Sequence, residues 1–270
     1  MLATAQRRVE RVCYVLGAAL MVAGVFHLAV FVVDGGPWEG PVSWRKPATF
    51  GLSFGLTLIA VTWVASYLPL GERLRDTLLG VFAADCLVEV GGITLQAWRG
   101  VPSHLNRETA FDSAVSTVLA AGGGVLIVVL GIMAVAAFRP IGLPADLATG
   151  RPVPATDLPA PAADVPADLR LALRAGFVTL MIGLGTGAAM IARGVIEANT
   201  GTQETAYAVT GFLKLAHGVS LHGVLVLPAL ARLLAFIGWN EARRVRAVRL
   251  ASGAYGVAIA AALVYSLLTA

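Results

Sequence analysis

The chain alternates long apolar runs with short polar breaks, and the runs are too long for strands. Seven stretches, about 12–33, 47–68, 77–97, 111–137, 171–192, 211–237 and 249–269, each carry roughly twenty or more residues with few charges. An α-helix rises 1.5 Å per residue, so ~20 apolar residues cross a hydrocarbon core ~30 Å thick. A transmembrane β-barrel would show segments of about 10 residues with apolar–polar alternation. The pattern therefore predicts an all-α integral membrane protein, a seven-helix bundle.

Composition agrees with this reading. Of 270 residues, 57% are hydrophobic and 13% charged, and mean hydropathy is +0.79. A soluble domain of this size needs more polar surface. The first apolar run follows a basic lead, "MLATAQRRVERVCYV", as a signal peptide would. It exceeds the ~7–15 residues of such a segment and no small-residue cleavage pattern follows, so a retained first helix is expected. Cys13 and Cys86 lie in different runs, with no spacing typical of metal, disulfide or redox pairs.

Charge sets an orientation. Counting the 20 Lys and Arg, fourteen fall on segments that share a side with the N-terminus. The other six are Arg45, Lys46, Arg99, Arg107, Arg193 and Lys214. Cytoplasmic loops are the cation-rich ones, which predicts an N-terminus in the cytoplasm and a C-terminus outside. The sequence pI near 9.4 then reflects topology, and no nucleic-acid partner is implied.

One connection is long. Residues 1–138 hold helices 1–4, and 171–270 hold helices 5–7. Between them, 139–170 is rich in Pro, Ala and Asp, the composition of a flexible cytoplasmic linker. The whole is expected to form one membrane domain. Gly51/Gly55 and Gly183/Gly187 are small-xxx-small pairs, which let membrane helices approach closely. In the outer loops, Trp38, Trp44 and Trp98 with nearby Arg suit anchors at the lipid–water boundary. Thr109 and Asp112 fit a capping box for helix 4.

Ionisable residues inside the runs change the picture from fold to function, because each costs a few kcal/mol or more in hydrocarbon. Helix 1 carries His27. Helix 3 carries Asp85 and Glu89 at i,i+4, with Gln96 seven further on, and at 100° per residue these three form one stripe. Helix 6 carries Lys214, His217 and His222. With the orientation above, these groups are expected in the outer half of the bundle, lining one pocket that opens outward.

Three chemistries suit such a pocket. The first is redox. His27 with His217 or His222 would ligate haem b or a transition-metal ion, imidazole being a frequent ligand for both. Arg45, Lys46, Arg99 and Arg193 would then hold propionates or a quinone headgroup, and the protein would be a membrane oxidoreductase. The second is a cofactor-free lipid enzyme, with Asp85, Glu89 and Lys214 or His222 handling protons on a prenyl- or quinone-type substrate. The third is a proton-coupled transporter that uses the same groups as a relay. No Asp-rich diphosphate motif is present, and no Ser or Cys nucleophile stands beside a His in a familiar hydrolase motif. Helix 7 lacks the lysine that retinal would need.

The segments "SWRKPATFGLSFGL", "WRGVPSHLN" and "LKLAHGVSLHGVLVLP" resemble those of uncharacterised bacterial seven-helix multi-pass membrane proteins. The resemblance implies the fold and a bacterial inner, or cell, membrane with a lipid bilayer around the helices. It carries no activity and no site residue across.

Overall fold

A computed structural model describes residues 7–139 and 165–269. Most of the expected linker, residues 140–164, lies outside these described residues. Among them are nine helices and no strand: α1 (Arg8–Asp34), α2 (Arg45–Ala65), α3 (Glu72–Trp98), α4 (Ala110–Phe138), α5 (Ala167–Thr200), α6 (Gln203–Thr210), α7 (Lys214–Leu221), α8 (Gly223–Phe236) and α9 (Glu241–Leu268). With α7 and α8 taken as one span, seven helices are long and apolar enough to cross a membrane.

The surface of α1 explains why its sequence needs lipid. Cys13, Gly17, Leu20, Gly24 and His27 are buried, a spacing of three and four that marks one helical stripe. Val15, Val22, Val25, Phe26, Val32 and Val33 are exposed on the rest of the helix. A soluble protein rarely leaves so continuous an apolar surface to water.

The chain divides into two compact units. The first comprises Met1–Ile59, Leu79–Leu126 and Ala188–Phe212, and the second Ala60–Leu78, Ile127–Gly187 and Leu213–Ala270. In the first unit, α1 and α2 meet backbone to backbone. A Cβ placed on Gly51 would stand 2.8 Å from Gly24 Cα, and one on Gly24 would stand 2.6 Å from Leu52 N. Only glycine permits that approach, the packing role expected of Gly51/Gly55.

In the second unit, α9 packs on α7 and α8, and Tyr255 Oη donates to the Val219 carbonyl at 2.7 Å. Asn240 caps α9 by accepting from Arg243 N at 2.9 Å. Arg244 pairs with the buried Asp168 at 2.9 Å, tying the start of α9 to the start of α5.

Helix starts differ most from the sequence reading: α9 begins at Glu241 and α3 at Glu72, eight and five residues before the expected 249 and 77. Helix α5 begins at Ala167, four residues before the expected start, because Asp168 and Arg170 take up its first turn. The sixth span is interrupted. His222 closes α7, and its carbonyl accepts from both Leu225 N and Val226 N at 3.0 Å. Pro228 follows inside α8, where it has no N–H for the Val224 carbonyl, so this stretch of helix is weakened just past the break.

Candidate functional site

The expected stripe on α3 exists, and α4 is what it faces. A Cβ on Gly122 would lie 2.5 Å from Glu89 Oε1 and 2.8 Å from Asp85 Oδ1. The two carboxyl groups therefore share one space, which the missing side chain of Gly122 leaves open. One turn further along, a Cβ on Gly92 would meet Leu119 Cδ2 at 2.9 Å. Beyond that, Gln96 Nε2 donates to Asp112 Oδ1 at 2.9 Å.

The two ends of this stripe are treated differently. Asp112 is 2% exposed and saturated. It accepts from Gln96, from Arg99 Nη1 at 2.5 Å and from Thr109 Oγ1 at 2.6 Å, and its own N–H donates to Thr109 Oγ1 at 3.1 Å. Arg99 Nη1 also donates to Gln96 Oε1. Thr109 thus caps α4, but the Asp112 carboxylate accepts from the Thr109 hydroxyl rather than from its N–H, and an ion pair to the exposed Arg99 is built onto the cap. Asp85 is 8% exposed and Glu89 3%. Among the described residues, neither carboxyl group makes a hydrogen bond or a salt bridge, and Asp85 Oδ2 is fully shielded without a partner.

His27 is buried elsewhere in the first unit, in an aromatic cluster. Its Nδ1 lies 2.7 Å from the Ala23 carbonyl, and its Nε2 lies 3.1 Å from Trp98 Nε1. An indole N–H can only donate, so Nε2 is the acceptor and Nδ1 carries the proton. The ring also stacks on Trp44, whose Nε1 donates to Asp34 Oδ2 at 2.7 Å. The Trp98 side chain that holds His27 comes from the last residue of α3, nine positions after Glu89. His27 and the carboxyl pair therefore meet different parts of α3.

The expected holders of propionate or quinone are engaged by the protein itself. Arg45 pairs with Glu39 at 3.2 Å and donates from Nε to the Trp38 carbonyl at 2.7 Å. Arg99 serves Asp112. Arg193 lies over the Phe212 ring, 4.6 Å from its centroid. Lys46 Nζ donates to Ser103 Oγ at 3.0 Å, and the same Oγ is 3.0 Å from His104 Nδ1. Sequence reading missed this last group, since Lys46 and Ser103 are 57 positions apart. Burial, with the Lys46 charge beside it, pushes His104 down to about 3 from its ordinary 6.5, so the imidazole stays neutral.

The second unit holds the helix 6 residues. His217 Nδ1 lies 2.7 Å from the Gly183 carbonyl, and its ring lies on Gly187, where a Cβ would be 3.0 Å from Cε1. A backbone carbonyl on Nδ1 is the arrangement that leaves Nε2 as the ligand atom of a metal-binding histidine. His222 is half-buried at the α7–α8 junction, and Lys214 opens α7 with an exposed side chain. Among the described residues, no group of three or more His, Cys, Asp or Glu is placed to hold a metal ion. No protein-family profile, no curated protein and no solved structure matches this chain.

Proposed function

We propose that this multi-pass membrane protein handles protons through Asp85 and Glu89, as a proton-coupled transporter does. One observation carries the reading: two buried carboxyl groups, a single helical turn apart, share the space opposite Gly122 with no cation or hydrogen-bond donor among the described residues. A charge that arrives or leaves in such a place carries several kcal/mol, so protonation and the packing of α3 on α4 are coupled. That coupling is what a proton-driven conformational change uses.

The redox alternative has less to stand on. A haem or transition-metal centre ligated by His27 would break the Trp98 bond, since both nitrogens of that ring are engaged. His217 retains the better-prepared nitrogen, but no second donor is placed with it among the described residues. An acid–base lipid enzyme would use the same carboxyl pair.

The test is infrared difference spectroscopy on the full-length protein in lipid, stepped in pH. The expected result is a carboxyl C=O band that shifts in Glu89→Gln and in Asp85→Asn and is absent from the double variant. Identical bands in wild type and double variant, with helicity unchanged, would overturn the proposal.

A further inference from the structure

The Lys46–Ser103–His104 group stands apart from the carboxyl pair, and its chemistry does not depend on the reading above. Ser103 is 2% exposed and is one of the residues that line a small cleft. Pro41, Val42, Ser43, Lys46 and Val101 line the cleft with it. Two nitrogens reach the Ser103 oxygen, Lys46 Nζ and His104 Nδ1, both at 3.0 Å.

The loop that carries Ser103 and His104 is held from several sides. Ser116 Oγ donates to the Ser103 and Asn106 carbonyls at 3.3 and 3.1 Å. Asn106 Nδ2 donates to the Pro102 carbonyl at 3.3 Å, and Gln203 Nε2 to the Leu105 carbonyl at 3.1 Å. Leu105 itself has φ +59°, a left-handed conformation that costs about 1 kcal/mol or more for a residue with a Cβ. The surrounding bonds hold this strained turn two residues after Ser103.

We propose that Ser103 is the nucleophile of an acyl-transfer site, with Lys46 as its base and a carboxylic ester with an apolar acyl group as substrate. A hydroxyl beside a lysine amine is one of the recurring activated-nucleophile arrangements. In its ammonium form Lys46 donates to Oγ; in its amine form the same 3.0 Å path carries the hydroxyl proton to Nζ. Oγ adds to the ester carbonyl carbon, and the proton taken by Lys46 passes to the alkoxide as the C–O bond breaks. An alcohol leaves and acyl-Ser103 remains. Water then adds to the acyl carbon and gives a proton to Lys46. The proton returns to Ser103 Oγ as the carboxylic acid departs. His104, held neutral, is a positioning residue: it fixes the hydroxyl and does not take its proton. Val42 and Val101 supply the apolar wall for the acyl group.

A fluorophosphonate probe applied to the full-length protein in lipid, with the modified residue located by mass spectrometry, tests this. The expected result is labelling at Ser103, abolished in Ser103→Ala. Lys46→Arg keeps the positive charge and the bond to Oγ, but its guanidinium does not deprotonate. That variant should stay folded and label at least tenfold more slowly. Absence of labelling at Ser103 in folded wild type would overturn the proposal. So would Lys46→Arg labelling at the wild-type rate, which would leave Lys46 a structural tie.

Discussion

The two ends of the α3 stripe offer a controlled contrast: one face of one helix, two acidic clusters, opposite treatment. At Asp112 every approach is filled, by Gln96, Arg99 and Thr109. At Asp85 and Glu89 the neighbour is Gly122, which supplies no donor at all. Buried polar groups are normally hydrogen-bonded, and a saturated cluster fixes structure. A cluster left bare in the same environment is not there for stability. Position in an apolar helix is therefore a poor guide to function until the partners are counted.

The contrast breaks most visibly at its saturated end. Asp112→Ala removes the acceptor for Gln96 and Arg99 and half of the α4 cap together. It should give the largest loss among the stripe variants, a fall of roughly 5 °C in the unfolding midpoint in detergent, scaled as for soluble domains of this size. Thr109→Ser, which keeps the capping hydroxyl, should lose far less. Equal midpoints for Asp112→Ala and wild type would mean that the network contributes nothing and that the two ends do not differ.

Per unit of pH, a smaller effect comes from the loop beyond the stripe. His104 is held at about 3 against an ordinary 6.5. Between those values the unfolded chain binds a proton that the folded chain refuses, so stability rises with pH. The contribution is whole above about 6.5 and is lost as pH falls toward 3, by at most ~1.4 kcal/mol per pH unit. His104→Phe should unfold with a shallower acid slope than wild type in parallel pH-dependent melts. Superimposable slopes would show that His104 is charged or solvated in the fold.

How much of this could be read without coordinates follows from what each signal needs. The seven spans were legible because ~20 apolar residues admit little besides a membrane helix. The stripe of Asp85, Glu89 and Gln96 was legible too, because a spacing of four and seven fixes a face whatever lies opposite. Its partner was not: the α4 run "LAAGGGVLIV" holds three consecutive glycines, and nothing local says that Gly122 is the one turned to the carboxyl groups. The surroundings of His27 were not legible, since the Trp98 bond that fixes it joins residues 71 apart. The break at His222 was hidden inside an unbroken apolar run, with Pro228 several residues past it. Lys46, Ser103 and His104 were each visible, but only the folded loop brings them to one oxygen.

The smallest predicted effect is the most informative, because it is close to nothing. Glu89→Gln exchanges a buried carboxyl group that has no hydrogen-bond or ion-pair partner among the described residues for an amide of the same shape. Its unfolding free energy should therefore stay within about 1 kcal/mol of wild type, as read from equilibrium unfolding in SDS–detergent mixtures. Asp112→Ala, beside it on the same titration, should stand clearly apart. If Glu89→Gln instead destabilised the protein as much as Asp112→Ala, the carboxyl group would have to be bonded in the folded state. The bare end of the stripe would then be a second structural cluster. A neutral Glu89→Gln that has nonetheless lost its pH-dependent carboxyl band would separate proton binding from folding. Nothing at the saturated end could produce that pairing of results.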